Sequence, residues 1–131
     1  MTRDGPLAAA LLAVAIGAAL GAWMRWGLSY WLNPRDANLP LGTLAANLIG
    51  GYLIGIAVAV FALNPYVSPF WRLLIVTGFL GGLTTFSTFS AESLALLEAT
   101  KWGAALIHTA LHVFGSLAAA AAGIATVRAL A

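Results

Sequence analysis

Three observations predict an all-α membrane protein with four transmembrane helices. The 131 residues are 62% hydrophobic and only 8% charged, with a mean hydropathy of +0.96, whereas a soluble domain carries about 25% charged residues. Such a chain cannot cover a surface that faces water. Long stretches also lack charge altogether: residues 41–63, 73–91 and 102–127 carry none, and between Pro6 and Asn33 the sole charge is Arg25. Each stretch approaches or exceeds the roughly 20 residues that a helix needs to cross a bilayer. Finally, Asn33-Pro34-Arg35-Asp36, Asn64-Pro65-Tyr66 and the join near Lys101 separate these stretches with turn-forming residues.

The predicted spans are about 7–32, 41–63, 70–98 and 102–128, one domain over residues 1–131. Met1-Thr2-Arg3 followed by an Ala-rich run has the look of a signal peptide. The apolar run continues to Leu32, longer than a signal sequence requires, so a retained first helix is expected. The second and fourth spans are unbroken apolar runs. The third holds Gly81-Gly82-Leu83-Thr84-Thr85-Phe86-Ser87-Thr88-Phe89-Ser90. Adjacent glycines and a run of hydroxyl residues are poor helix material, and a break near Gly81–Thr85 is expected. At membrane depth a broken helix is tolerated where the freed backbone faces protein, water or an ion. The segment therefore points to an ion site or ion path. Trp23, Trp26, Trp31, Trp71 and Trp102 lie mostly near span ends, as an interfacial aromatic belt does.

Charge excludes some functions. A net charge of +2 with scattered cations does not suit nucleic acid. There is no cysteine, so thiol chemistry and cysteine metal sites are ruled out. No P-loop or GxSxG pattern occurs, and no enzyme is expected. With four spans, Arg3, Arg72 and Arg128 share one side of the membrane. Arg35 and Lys101 share the other, with Arg25 leaning toward it. The positive-inside rule has little bias to act on. The chain could insert in both orientations and pair antiparallel, or a weak bias or helper protein could fix one. Small residues recur four apart at Gly17/Gly21, Gly51/Gly55, Gly78/Gly82 and Ala119/Gly123, a spacing that lets helices approach closely. Four short helices hardly enclose a polar path alone, so an oligomer is expected, a twofold dimer being the commonest closed form.

Phe86 and Phe89 are three residues apart and share a helix face. Their positive ring edges could touch a small anion without gripping it, or the pair could simply pack. Asn47 is the strong amide donor of the second span. It could donate to an anion or bond a neighbouring helix, and Thr43, one turn earlier, could join it or bond its own backbone. Ser87, Thr88 and Ser90 offer hydroxyl donors; some could cap the break, as could Thr84 and Thr85. The second half-helix presents a positive N-terminus to an anion, whereas the end of the first offers carbonyls to a hard cation, sodium rather than zinc or copper. Glu92 could end the third span or a polar track. Arg25 could snorkel or hold positive potential at a pore mouth. His108, His112 and Ser116 form one stripe at four-residue spacing. The histidines could line a path and titrate, or bond neighbours while neutral. A metal site there is the weakest option, with no carboxylate close in sequence.

The segment at 81–90 resembles the third-helix signature of the Fluc (CrcB) fluoride channels. Gly42-Thr43-Leu44-Ala45-Ala46-Asn47-Leu48-Ile49-Gly50, Gly21-Ala22-Trp23-Met24-Arg25-Trp26 and Gly115-Ser116 resemble that family's other helix motifs in order. The resemblance implies a fluoride-selective channel of the bacterial inner membrane that passively exports fluoride. It also implies an antiparallel, dual-topology homodimer with two pores. Phe86 and Phe89 then match the pore phenylalanines, Asn47 the pore asparagine and Ser116 a pore hydroxyl. A sodium ion would lie at the dimer centre on the backbone carbonyls of Gly81 and Thr84. Glu92 falls on the polar track, and Arg25 takes a structural or vestibule role. Two histidines stand where the family often has hydroxyl residues. The rival readings are a proton-coupled exporter of the small multidrug type, which needs an acid at membrane depth, and a non-transporting membrane subunit.

Overall fold

In a computed structural model, residues 6–35 and 39–131 are described. Arg3 of the orientation count, the Met1–Arg3 segment and Asp36 of the first turn lie outside them. The described chain is helical, with four helices long and apolar enough to cross a membrane: Leu7–Leu32, Leu41–Leu63, Pro69–Glu98 and Trp102–Leu130. We label the first two α1 and α2. The third divides into α3 (residues 69–83) and α4 (Phe86–Glu98), and Trp102–Leu130 is α5.

Each start and stop has a local cause. The Asn33 side chain accepts from Gly42 N–H at 2.6 Å and so satisfies an orphan donor at the start of α2. Ser68 caps α3, accepting from Phe70 N–H, and Pro69 fills the first turn where its missing N–H costs nothing. Arg72 reaches back to the carbonyls of Phe61 and Asn64 at 3.3 Å each, with its guanidinium 4.8 Å from the Phe61 ring centroid. A cation on the last carbonyls of α2 complements that helix's negative end.

Helix α4 closes with Thr100 N–H on the Leu97 carbonyl and Lys101 N–H on the Leu96 carbonyl. This double bond pattern places Thr100 in the left-handed region at φ 56°. A β-branched residue is strained there. Thr100→Gly is expected to stabilise the protein by about 1 kcal/mol, read as a higher unfolding temperature in detergent with unchanged transport.

Small residues set the packing. Carbon added at Gly17 or Gly21 would run into the backbone of Leu74 and Phe79, and at Gly78 or Gly82 into that of Gly17 and Ala18. Thus α1 and α3 meet backbone to backbone. Likewise Gly55 lies on the Ala120 backbone and Gly123 on that of Tyr52, which presses α2 against α5. The four small-residue pairs read from the sequence are therefore all used inside one chain. Ala46, Ala57, Leu80 and Leu83 form the buried core between these seams. Two stretches are wound more widely than an α-helix, Leu73–Leu80 in α3 and Leu111–Gly115 in α5. Such π-turns shift which side chains share a face.

Candidate functional site

The break falls at Thr84 and Thr85, which are extended at φ −84°, ψ 154° and φ −150°, ψ 127°. Its hydrogen bonds explain how it is tolerated. Thr85 N–H donates to Asn47 Oδ1 at 2.8 Å, and Asn47 Nδ2 donates to the Thr85 carbonyl at 3.0 Å. One amide on α2 thus satisfies both backbone polar groups of Thr85. Thr85 is also the N-cap of α4, with Oγ1 accepting from Thr88 N–H at 3.1 Å.

The carbonyls at the break lose their helical partners as a result. In a continuous helix Gly81 C=O would receive Thr85 N–H, and Thr84 C=O would receive Thr88 N–H. Those donors go instead to Asn47 and to Thr85 Oγ1. The neighbouring Gly82 carbonyl accepts Arg25 Nε at 3.0 Å. Arg25 accordingly caps the end of α3, where a cation is favoured, rather than snorkelling to water. Backbone carbonyl oxygens freed at Gly81 and Thr84 are the type of ligand that a hard cation takes.

The hydroxyls divide between jobs. Thr84 Oγ1 donates to the Leu80 carbonyl at 2.9 Å and Ser90 Oγ to the Phe86 carbonyl at 2.8 Å, both back-bonds within the helix. Ser87 Oγ and Thr88 Oγ1 gather round Thr85 Oγ1 at 3.3 and 3.2 Å. Three of the hydroxyls thereby serve the cap.

Phe86 and Phe89 touch edge to face, with centroids 5.3 Å apart and planes at 62°. They share a face but not an environment: Phe86 is 78% exposed and Phe89 only 7%. Phe89 lies against both imidazoles, 5.5 Å from His108 and 4.7 Å from His112 by centroid. The two histidine rings, four residues apart on α5, have centroids 4.5 Å apart.

A chain of polar contacts continues toward the end of α4. Thr43, 1% exposed, donates from Oγ1 to Glu92 Oε1 at 2.6 Å, not to its own backbone. His108 Nε2 donates to Glu92 Oε2 at 3.1 Å, and His108 Nδ1 meets Ser93 Oγ at 2.9 Å. Glu92 is thus held inside the bundle rather than ending the span in solvent. The sequence separation of 16 residues hid this carboxylate from the histidines. In space the ligating atoms of Glu92, His108 and His112 all lie within 4.8 Å of one another.

Asn47, Thr85, Phe86, Phe89, His112 and Ser116 line one groove of about 580 Å³ that runs along the break. Its other walls are mostly apolar residues of α2, α3 and α5. Amide, hydroxyl and imidazole groups, two phenylalanine rings and the N-terminus of α4 thus line one groove, a set of groups that suits a small anion.

The comparisons with known proteins point the same way. Residues 12–124 match the family model described as CrcB-like protein, Camphor Resistance (CrcB). The chain belongs to the CrcB family. Among curated CrcB relatives, a protein named fluoride-specific ion channel FluC from Cupriavidus pinatubonensis is 59% identical over 127 residues, covering 97% of this chain and 99% of the relative. FluC of Pseudomonas putida is 58% identical over 116 residues, 88% of this chain and 91% of the relative. FluC of Albidiferax ferrireducens is 60% identical over 116 residues, 88% of each chain. As a CrcB protein with four apolar spanning helices, the chain is a multi-pass protein of the bacterial inner membrane.

Proposed function

We propose that this protein is a fluoride-selective channel that passively exports fluoride and protects the cell from it. The observation that carries the reading is the near end-to-end likeness, 59% over 97% of the chain, to a protein named a fluoride-specific ion channel. The groove supports it. Fluoride is small and hard, and it can exchange water for N–H and O–H donors and for positive ring edges. An uncharged passage of this kind binds weakly enough for the ion to leave. No chemical step is needed, and the protein is not an enzyme.

The working unit we propose is an antiparallel, dual-topology homodimer with a sodium ion between the copies. Gly81 and Thr84 would supply carbonyl oxygens from each subunit, since both carbonyls have lost their helical donors. Two oxygens from one chain are few for a hard cation, and a second copy would bring the number to four. Phe86, largely exposed on a single chain, is suited to face the partner or the path.

The test is fluoride efflux from liposomes, followed with an ion electrode beside chloride and without a proton gradient. Wild type is expected to release fluoride rapidly and chloride negligibly. Phe86→Ile, which keeps bulk but loses the ring edge, is expected to reduce fluoride efflux by at least about tenfold, the size of one lost specific contact of ~1.4 kcal/mol. No efflux from a folded wild-type dimer would sink the channel reading, and a need for a proton gradient would favour a coupled exporter.

A further inference from the structure

The hydrogen bonds round Asn47 fix the state of a second side chain. Thr85 N–H can only donate and Thr85 C=O can only accept, so the two bonds to Asn47 determine which end of its amide is oxygen. The NH2 group has two hydrogens. One goes to the Thr85 carbonyl; the other goes to His112 Nδ1, 3.0 Å from Asn47 Nδ2. Both are thereby used. His112 Nδ1 must then be the bare, accepting nitrogen, and in the neutral ring the hydrogen sits on Nε2.

That Nε2 is buried and makes no hydrogen bond among the described residues. His112 as a whole is 5% exposed, packed against Phe89 and His108 on the wall of the groove. An unpaired buried N–H is costly, and it is relieved by an acceptor. The same geometry argues against a metal at Glu92, His108 and His112. A metal needs a lone pair on the imidazole, whereas Nε2 of His112 carries hydrogen and Nε2 of His108 is turned to Glu92.

We propose that the Nε2–H of His112 is the side-chain donor fluoride meets beside Phe89, and that Asn47 is the positioning residue that fixes which nitrogen carries the hydrogen. The inference rests on the channel reading above and assigns the donor within it. Fluoride, the smallest and hardest halide, gains most from one aligned N–H in a dry site. The Glu92 carboxylate nearby opposes long residence, as conduction requires.

The experiment pairs flux with nitrogen NMR on the full-length protein. His112→Phe keeps a flat ring without the donor, and His112→Gln places an amide N–H near the Nε2 position. Fluoride efflux is expected to fall by at least about tenfold in the first, the scale of one hydrogen bond to a charged group, and to recover most of the way in the second. In 15N-histidine wild type, His112 Nε2 is expected to be protonated, Nδ1 bare, and the Nε2 signal to move with sodium fluoride and not with sodium chloride. Normal flux in His112→Phe, a bare Nε2, or a signal indifferent to fluoride overturns the assignment while leaving the channel standing. So does block of wild type by zinc chloride that His112→Phe relieves, since it reveals a free lone pair. Where a variant fails to fold, the wild-type spectrum decides. Wild type without fluoride flux means that the channel reading has failed, and the tautomer is then still read from the spectrum.

Discussion

Asn47→Ala is expected to abolish fluoride efflux and to lower stability by about 3 kcal/mol. The asparagine is the sole side chain bonded to both backbone polar groups of Thr85 among the described residues. Its removal strands a backbone N–H and a C=O at the break, each worth about 1–3 kcal/mol when buried and unpaired. It also frees the His112 ring to choose either tautomer. The measurements are thermal unfolding in detergent and liposome efflux. Asn64→Ala is the matched control. That asparagine lies at the end of α2 with Nδ2 on the Val60 carbonyl, and losing it is expected to cost under about 0.5 kcal/mol. Equal effects from the two variants would mean that the break is held by something other than Asn47.

Gly55→Val is expected to be the most damaging apolar substitution. The first added carbon meets the backbone carbonyl of Ala120, which has no rotamer with which to retreat. The clash is relieved only when α2 and α5 part, at about 3 kcal/mol or more, and parting them moves Asn47 away from His112. We expect loss of folded protein on size-exclusion chromatography. Gly103→Val, at a glycine with open space round it, is expected to be tolerated apart from helix propensity. A well-folded, conducting Gly55→Val would contradict the close α2–α5 seam.

Much of the scaffold could be read from charge alone. Arg72 and Lys101 bracket uncharged runs, and the helices end near them because a charge inside lipid is expensive. The break was legible because glycines and hydroxyl residues occur together where an unbroken helix would be expected. What escaped was everything decided between helices. Nothing in the sequence says that Arg25 would seat on the Gly82 carbonyl, or that Glu92 would meet Thr43 and His108 across three helices. The π-turn around His112 was also hidden, since its cause is packing rather than a Pro or Gly signature. Asn47 was legible as a polar residue at membrane depth, but its choice of the Thr85 peptide and the His112 ring depends on how two helices approach.

The internal glycine seams bear on how the molecule is made. A chain whose glycine seams close on its own helices can complete that packing before it meets another copy. In the proposed dimer, maturation would then separate into a step of first order in the chain and an encounter of second order in membrane density. At low expression, transport should rise with the square of the amount of protein, while the folded fraction stays constant. A cell that begins to make this protein would thus gain protection late and steeply.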